Sequence, residues 1–278
     1  MTDNSAELAA LVRDADPDRY MTLPFVPRPH RPALLALYAF NVEVARVADL
    51  VSEPLVGQIR LQWWREALEG LAAGDKPRTH PVVTALAPLI SAGRLAVPPL
   101  LALLDAREAE LEPAPFRTLA ELESYAAATG GALMTAAAQL LAPAAHGPDD
   151  HAAARAGTAH TLTGVLRNLP HHLARGRVML PEDLLQAAGL SAEALRLGQN
   201  LSNLPKALRP IYQHARDLAQ NISPSSRYAR PALLPAVLAK SDLRALRRAG
   251  FDPFSPALRR ERPGRPLRLM WSGLTGRL

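Results

Sequence analysis

The sequence predicts an all-α fold in a single domain spanning residues 1–278. Three observations predict it. Runs dominated by alanine and leucine recur between proline and glycine breaks, and these residues favour helix over strand. Aromatic residues make up only 5% of the chain and β-branched residues are sparse, so strand-forming composition is weak. No stretch alternates at period two for long enough to suggest a sheet, and there is no internal repeat. With 278 residues, 48% of them hydrophobic, the chain is long enough to bury a sizeable core.

The elements follow in order. Pro29 and Pro32 precede a long helical run, ALLALYAFNVEVARVADLVS, which stops at Pro54. A second helix, VGQIRLQWWREALEGLAAG, ends at Gly74 and Pro77. Shorter helices are predicted over 82–92 and 98–112. The segment LAELESYAAATGGALMTAAAQLL reads as a buried helix, with Gly130 and Gly131 allowing a close approach at its middle. Next come AAARAGTAHTLTGVLRNLPHHLARG and, after a proline-bounded loop, SAEALRLGQN. The last two helices are predicted over 206–220 and 231–248.

Composition narrows the chemistry. The chain has no cysteine, which excludes disulfides and thiolate metal sites. No run of about 18 apolar residues reads as a spanning helix. The N-terminal MTDNSAELAALVRDADPDRY lacks the basic and apolar regions of a secretory signal, so the expected location is cytoplasmic. The formal net charge is +6, with much of the excess in a basic tail over about 256–278. That tail suits a phosphorylated ligand or an anionic membrane surface, or it is simply a solvated, partly disordered end. Nucleic acid is not expected, because no zinc finger, RNP-like strand or basic zipper accompanies the charge.

One stretch could hold chemistry. Val42, Arg46, Asp49 and Glu53 are spaced four, three and four residues apart, which places them on one face of a continuous helix. Asp49 and Glu53 would then project side by side, able to share a hard cation such as magnesium. They could equally be surface charges, with Asp49 paired to Arg46. The next helix carries Trp63 and Trp64, and VLRNLPHHLARGRVMLPEDLL gathers Arg167, His171, His172, Arg175 and Arg177. Arginine suits bidentate contacts to phosphate.

These strings, taken together, resemble the squalene/phytoene synthase family across most of the chain. ALYAFNVEVARVADLVSEP resembles the family's first aspartate-rich helix, IRLQWWREALEG the helix after it, and ESYAAATGGALM the central helix with small residues. TGVLRNLPHHLARGRVMLPEDLL resembles the second aspartate-rich segment, and RPALLPAVLA a late helix. The resemblance implies an isoprenoid-synthase-type helical bundle around a central cavity. It implies Asp49 and Glu53 as catalytic, magnesium-holding carboxylates, with Arg46, Arg167, Asn168, His172 and Arg175 binding prenyl diphosphate. It also places Tyr38 near the cavity wall, and Tyr125, Thr129 and Gly130 along an apolar tunnel with room for a chain. Active members bridge two diphosphates with magnesium ions and join two allylic substrates head to head.

The second motif departs from the family pattern: Asn168 and His172 replace its aspartates. Asparagine contributes no charge, and magnesium prefers oxygen to imidazole. Losing one wall's charges costs several kcal/mol of diphosphate stabilisation, at least about a thousandfold in rate. FNVEVARVADLVSEP, IRLQWWREAL and LRNLPHHLARGR resemble instead the bacterial relatives of the mitochondrial complex I assembly factor. That branch implies a role in maturing a respiratory complex, with a prenyl diphosphate or lipid-like ligand, a respiratory-complex subunit as partner and peripheral contact with the inner membrane. The alternative implied by the rest of the family is an active magnesium-dependent head-to-head prenyl transferase of isoprenoid biosynthesis.

Overall fold

The computed structural model describes residues 2–114, 116–143, 147–224, 226–259, 264–276 and 278. Among them there is no strand, and the chain is helical from α1 (Thr2–Ala15) onward. That first helix is not among those predicted from the sequence, where its segment bears only on targeting. It docks through Leu8 and Val12, a stripe too narrow to stand out between charged neighbours. A short α2 (Pro17–Tyr20) is capped by the Asp16 carboxylate, which accepts the Arg19 backbone N–H.

Next, α3 (Arg31–Ala45) buries almost every residue and forms the spine of one core with α1 and α5 (Pro81–Ser91). The predicted continuous helix to residue 52 ends early. After Ala45 the backbone passes through one 3₁₀ turn, Val47–Asp49, and then unwinds before α4 (Pro54–Ala73). Pro54 is the cause. It takes the first position of α4 and holds Glu53 extended, at φ −109° and ψ 126°. Asp49 and Glu53 therefore share no helix face.

Two helices, α6 (Pro98–Glu108) and α7 (Leu119–Ala126), lead into α8 (Ala132–Leu141) through one turn of π-helix over Ala127–Gly131. Helix α9 (Pro148–Arg167) runs through the centre, packed on α8, on the π turn and on α13 (Leu204–Ala219) and α15 (Pro235–Arg248). The contact between α9 and the π turn needs glycine on both sides. A Cβ on Gly157 would lie 2.0 Å from the Gly130 carbonyl oxygen, and one on Gly130 would lie 1.9 Å from Thr161 Oγ1. Pro170 breaks the predicted long helix after Arg167, so Asn168 joins α9 to the separate α10 (Leu169–Ala174).

Short α11 (Glu182–Ala187) and α12 (Ala192–Arg196) precede α13, and α14 (Arg230–Leu233) precedes α15. The basic C-terminal stretch contains α16 (Pro256–Arg259) and α17 (Gly264–Thr275); residues 260–263 and 277 of the predicted tail lie outside the described residues. Helix α17 packs on α15 with Leu269 and Ser272 buried. No helix among the described residues is long and apolar enough to cross a membrane.

Candidate functional site: a cation-rich cavity closed by ion pairs

The helices enclose a cavity of about 440 Å³. Its lining is polar rather than the apolar tunnel the resemblance suggests. Arg19, Arg46, Arg107, Arg167 and Arg177 face Asp16, Asp49 and Glu110, which leaves two positive charges in excess before any histidine is counted.

At the mouth, the 3₁₀ turn after α3 presents Asp49 to the segment that follows α10. The Arg177 guanidinium pairs with Asp49, Arg175 Nε lies 3.3 Å away, and His171 Nε2 lies 3.3 Å from the other carboxylate oxygen. Arg175 also donates to His171 Nδ1 at 3.0 Å, so His171 is read as the tautomer that donates from Nε2 to Asp49. Burial pushes the Asp49 carboxyl up, but Arg177, His171 and Arg175 outweigh it and hold it below its ordinary value.

Along one wall, the Arg107 guanidinium pairs with Glu110 and donates to Tyr125 Oη at 3.2 Å and to Asn41 Oδ1 at 3.1 Å. The Tyr125 hydroxyl donates to Glu110. Burial first, then the Glu110 charge, pushes that hydroxyl far above its ordinary value.

Beneath them, Arg167 reaches Asp18 and Asp242, each at 2.9 Å, while Arg265 of α17 reaches Asp18 at 2.6 Å and Asp242 at 3.7 Å. Burial pushes the Asp18 carboxyl up, but the charges around it, Arg167 foremost, hold it at about 2. His160 lies beside this cluster; burial, reinforced by Arg19, pushes its imidazole down to about 4, and its Nδ1 has no hydrogen-bond partner among the described residues. His172 is similar. Burial and Arg177 hold it at about 4, and its buried Nδ1 likewise has no partner among the described residues.

The sequence candidates divide. Arg46, Asp49, Tyr125, Gly130, Arg167, Asn168 and His172 all line the cavity, and Arg175 joins the mouth through Asp49. Arg46, however, pairs with Glu43 at 2.7 Å rather than with Asp49. Glu53 is the residue before α4, without a capping hydrogen bond, exposed and away from the lining, because Pro54 holds its backbone extended. Tyr38 is a core residue, with the Arg19 guanidinium 6.0 Å from its ring centroid between it and the cavity. Thr129 is buried and its hydroxyl donates to the Tyr125 backbone carbonyl one turn earlier. Gly130 makes room for α9 as well as lining the cavity. Trp63 and Trp64 line a separate pocket with His80 and Leu50, while Met179 is a buried part of the cavity lining.

This donor set does not fit a magnesium site. Asp49 is taken by two guanidiniums and an imidazole, Glu53 lies elsewhere, and the second wall offers Asn168 and His172. Among the described residues, no three carboxylate or imidazole groups converge for a metal. Sequence reasoning missed Asn41, Arg107, Glu110, Asp18, His160, Asp242 and Arg265. Asp242 had a legible signal: it interrupts the apolar face of α15, between Leu238 and Leu246.

Comparison with known proteins agrees with the architecture. Residues 12–271 match the squalene/phytoene synthase family. The human NADH dehydrogenase (ubiquinone) complex I assembly factor 6 is 31% identical over 93% of this chain and 78% of its own length. A ligand-bound dehydrosqualene synthase superposes with TM-score 0.81 at 19% identity, covering 99% of this chain and 96% of its own. A squalene synthase from Alicyclobacillus acidocaldarius superposes with TM-score 0.72 at 22% identity, over 90% and 95% of the two chains. At these identities the solved structures speak to fold alone.

Proposed function

The chain belongs to the squalene/phytoene synthase family, and within it we propose an assembly-factor role for a respiratory NADH dehydrogenase complex rather than head-to-head prenyl transfer. One observation carries the proposal: Asp49, the first-motif carboxylate that reaches the cavity, is held by Arg175, Arg177 and His171 from the opposite wall. A diphosphate bridged by metal ions would need those walls to face each other across carboxylates. Here they are joined through a carboxylate and two guanidiniums. Similarity to the human assembly factor over nearly the whole chain supports the same reading.

The cavity keeps a binding role in this account. Its excess of guanidinium groups and neutral imidazoles favours an anionic headgroup, so a prenyl diphosphate or lipid-like ligand would be held by direct hydrogen bonds. The working place is the cytoplasm, at the membrane face where a respiratory complex is built.

Deleting the gene tests the role. NADH:quinone oxidoreductase activity in isolated membranes, and the assembled complex on native gels, should fall severalfold and return with the wild-type gene and with Asp49→Asn. An intact complex with a missing isoprenoid product in the deletion strain would overturn the proposal.

A further inference from the structure

Helix α17 exposes apolar residues where a solvated helix end would carry charge. Leu267, Met270, Trp271 and Leu274 are 66%, 51%, 67% and 81% exposed. Their spacing puts all four within about a 100° arc of one helix face. The opposite face is fixed. Leu269 and Ser272 are buried, Arg265 is pinned by Asp18, and a Cβ on Gly273 would lie 2.5 Å from the Phe25 ring. The helix is thus held with its apolar stripe outward.

Beside the stripe lies a groove of about 170 Å³ between α15 and α17, lined by Ser241, Arg244, Arg248, Gly264, Arg265 and Arg268, with Ala245. Among the described residues, no carboxylate is in ion-pair range of Arg244, Arg248 or Arg268. Arg268 instead donates to Ser241 Oγ at 3.2 Å, and Arg244 to the Lys240 carbonyl at 3.2 Å. Burial and the neighbouring Arg268 and Arg248 charges push the Arg244 guanidinium below its ordinary value. Like charges are crowded in a groove that holds no counter-charge among the described residues. The carboxylates nearby, Asp18 and Asp242, are already engaged with Arg167 and Arg265.

We infer that α17 is an interfacial helix that docks this protein on an anionic phospholipid surface: Leu267, Met270, Trp271 and Leu274 enter the headgroup–acyl boundary, and the groove formed by Arg244, Arg248 and Arg268 takes lipid phosphate. An apolar stripe containing tryptophan, beside unpaired arginines, is the pattern that anionic bilayers bind and that water alone does not reward. A protein partner fits less well, because it would have to match both an exposed convex stripe and a one-sign groove. The inference sharpens the membrane-side placement proposed above, but its geometry and its test are separate from any respiratory subunit.

The test is vesicle flotation of the purified full chain. Vesicles of phosphatidylcholine with about a third phosphatidylglycerol should carry the protein at least tenfold better than pure phosphatidylcholine, and salt should weaken that binding. Trp271→Glu with Leu274→Glu should lose at least tenfold. Both sites are exposed, so helical content should be unchanged by circular dichroism. Arg244→Gln with Arg248→Gln should abolish the preference for anionic vesicles. Equal binding to both vesicles, or full binding by the Trp271/Leu274 variant, would overturn the inference. So would absence of vesicle binding, and a dimer in sedimentation that this variant dissolves would then assign the stripe to a second copy of the chain. Such a failure would leave the assembly role standing, since the deletion experiment reads that independently.

Discussion

Two clusters built from the same chemistry, arginine on aspartate, lie at two depths, one at the cavity mouth and one beneath the cavity, joined to it by Arg167. At the mouth, Asp49 meets Arg175, Arg177 and His171, with Arg175 and His171 well exposed. Below it, Asp18 and Asp242 are buried and shared between Arg167 and Arg265. Depth sets their value. A half-solvated pair is screened and can open for a ligand, whereas removing one member of a buried cluster strands the others without water. The lower cluster therefore serves architecture, tying α2, α9, α15 and α17 together. The upper one joins the two walls reversibly and occupies the groups an anionic ligand would seek.

The largest expected effect falls on the lower cluster. Asp18→Ala leaves two guanidiniums dependent on Asp242 and should destabilise the fold by about 3–5 kcal/mol, read from urea unfolding midpoints. Burial and pH act in the same region. His160 is held at about 4 against an ordinary 6.5, so the unfolded chain takes up its proton first as pH falls. Its contribution is complete above pH 6.5 and is lost as pH falls to about 4, a swing of about 2–3 kcal/mol given its opening onto the cavity. Asp18, held at about 2 against 3.8, contributes above pH 3.8 and loses that contribution as pH falls through 2, a further swing of about 2 kcal/mol. Thermal melts from pH 7 to 4 should show the first loss; His172, held at about 4 as well, adds to it, so His160→Gln should reduce it and His160→Gln with His172→Gln should flatten it. A variant as acid-sensitive as wild type would remove His160 from the account.

A smaller effect is expected on the wall. Tyr125→Phe deprives buried Glu110 of a donor and should cost about 1–2 kcal/mol in the same unfolding assay. Smallest of all is Asp49→Asn, which should change stability by less than about 1 kcal/mol: Asp49, Arg175 and His171 are partly exposed, and asparagine keeps an acceptor oxygen for the more buried Arg177. If Asp49→Asn proved as damaging as Asp18→Ala, the contrast between the two depths would collapse.

The helices were legible in the sequence because their start and stop signals are local: prolines at first positions, and Gly74 in the left-handed conformation after α4. Family strings were legible as well, and with them the isoprenoid-synthase-type bundle. The pairing of charges was not. Asp49 and Arg177 lie 128 positions apart, and Asp18 and Arg265 lie 247 apart, so each pair exists only once the bundle has closed. Glu53 shows how a local signal overrides a periodic one. The four-residue spacing from Asp49 was correct as arithmetic, but α3 ends at Ala45 and Pro54 holds Glu53 extended, so no shared helix face gives it meaning. Gly130 shows the reverse. Its small size was legible, while the backbone it admits, that of Gly157, was visible only in three dimensions.

The most direct test of the central claim is calorimetric titration of a non-hydrolysable farnesyl diphosphate analogue into wild type and Asp49→Asn, with and without magnesium. If ion pairs have replaced metal at the mouth, binding will be independent of magnesium and at least severalfold tighter in Asp49→Asn, where Arg175 and Arg177 are released. Binding that requires magnesium and disappears in Asp49→Asn would contradict the account and restore the transferase reading.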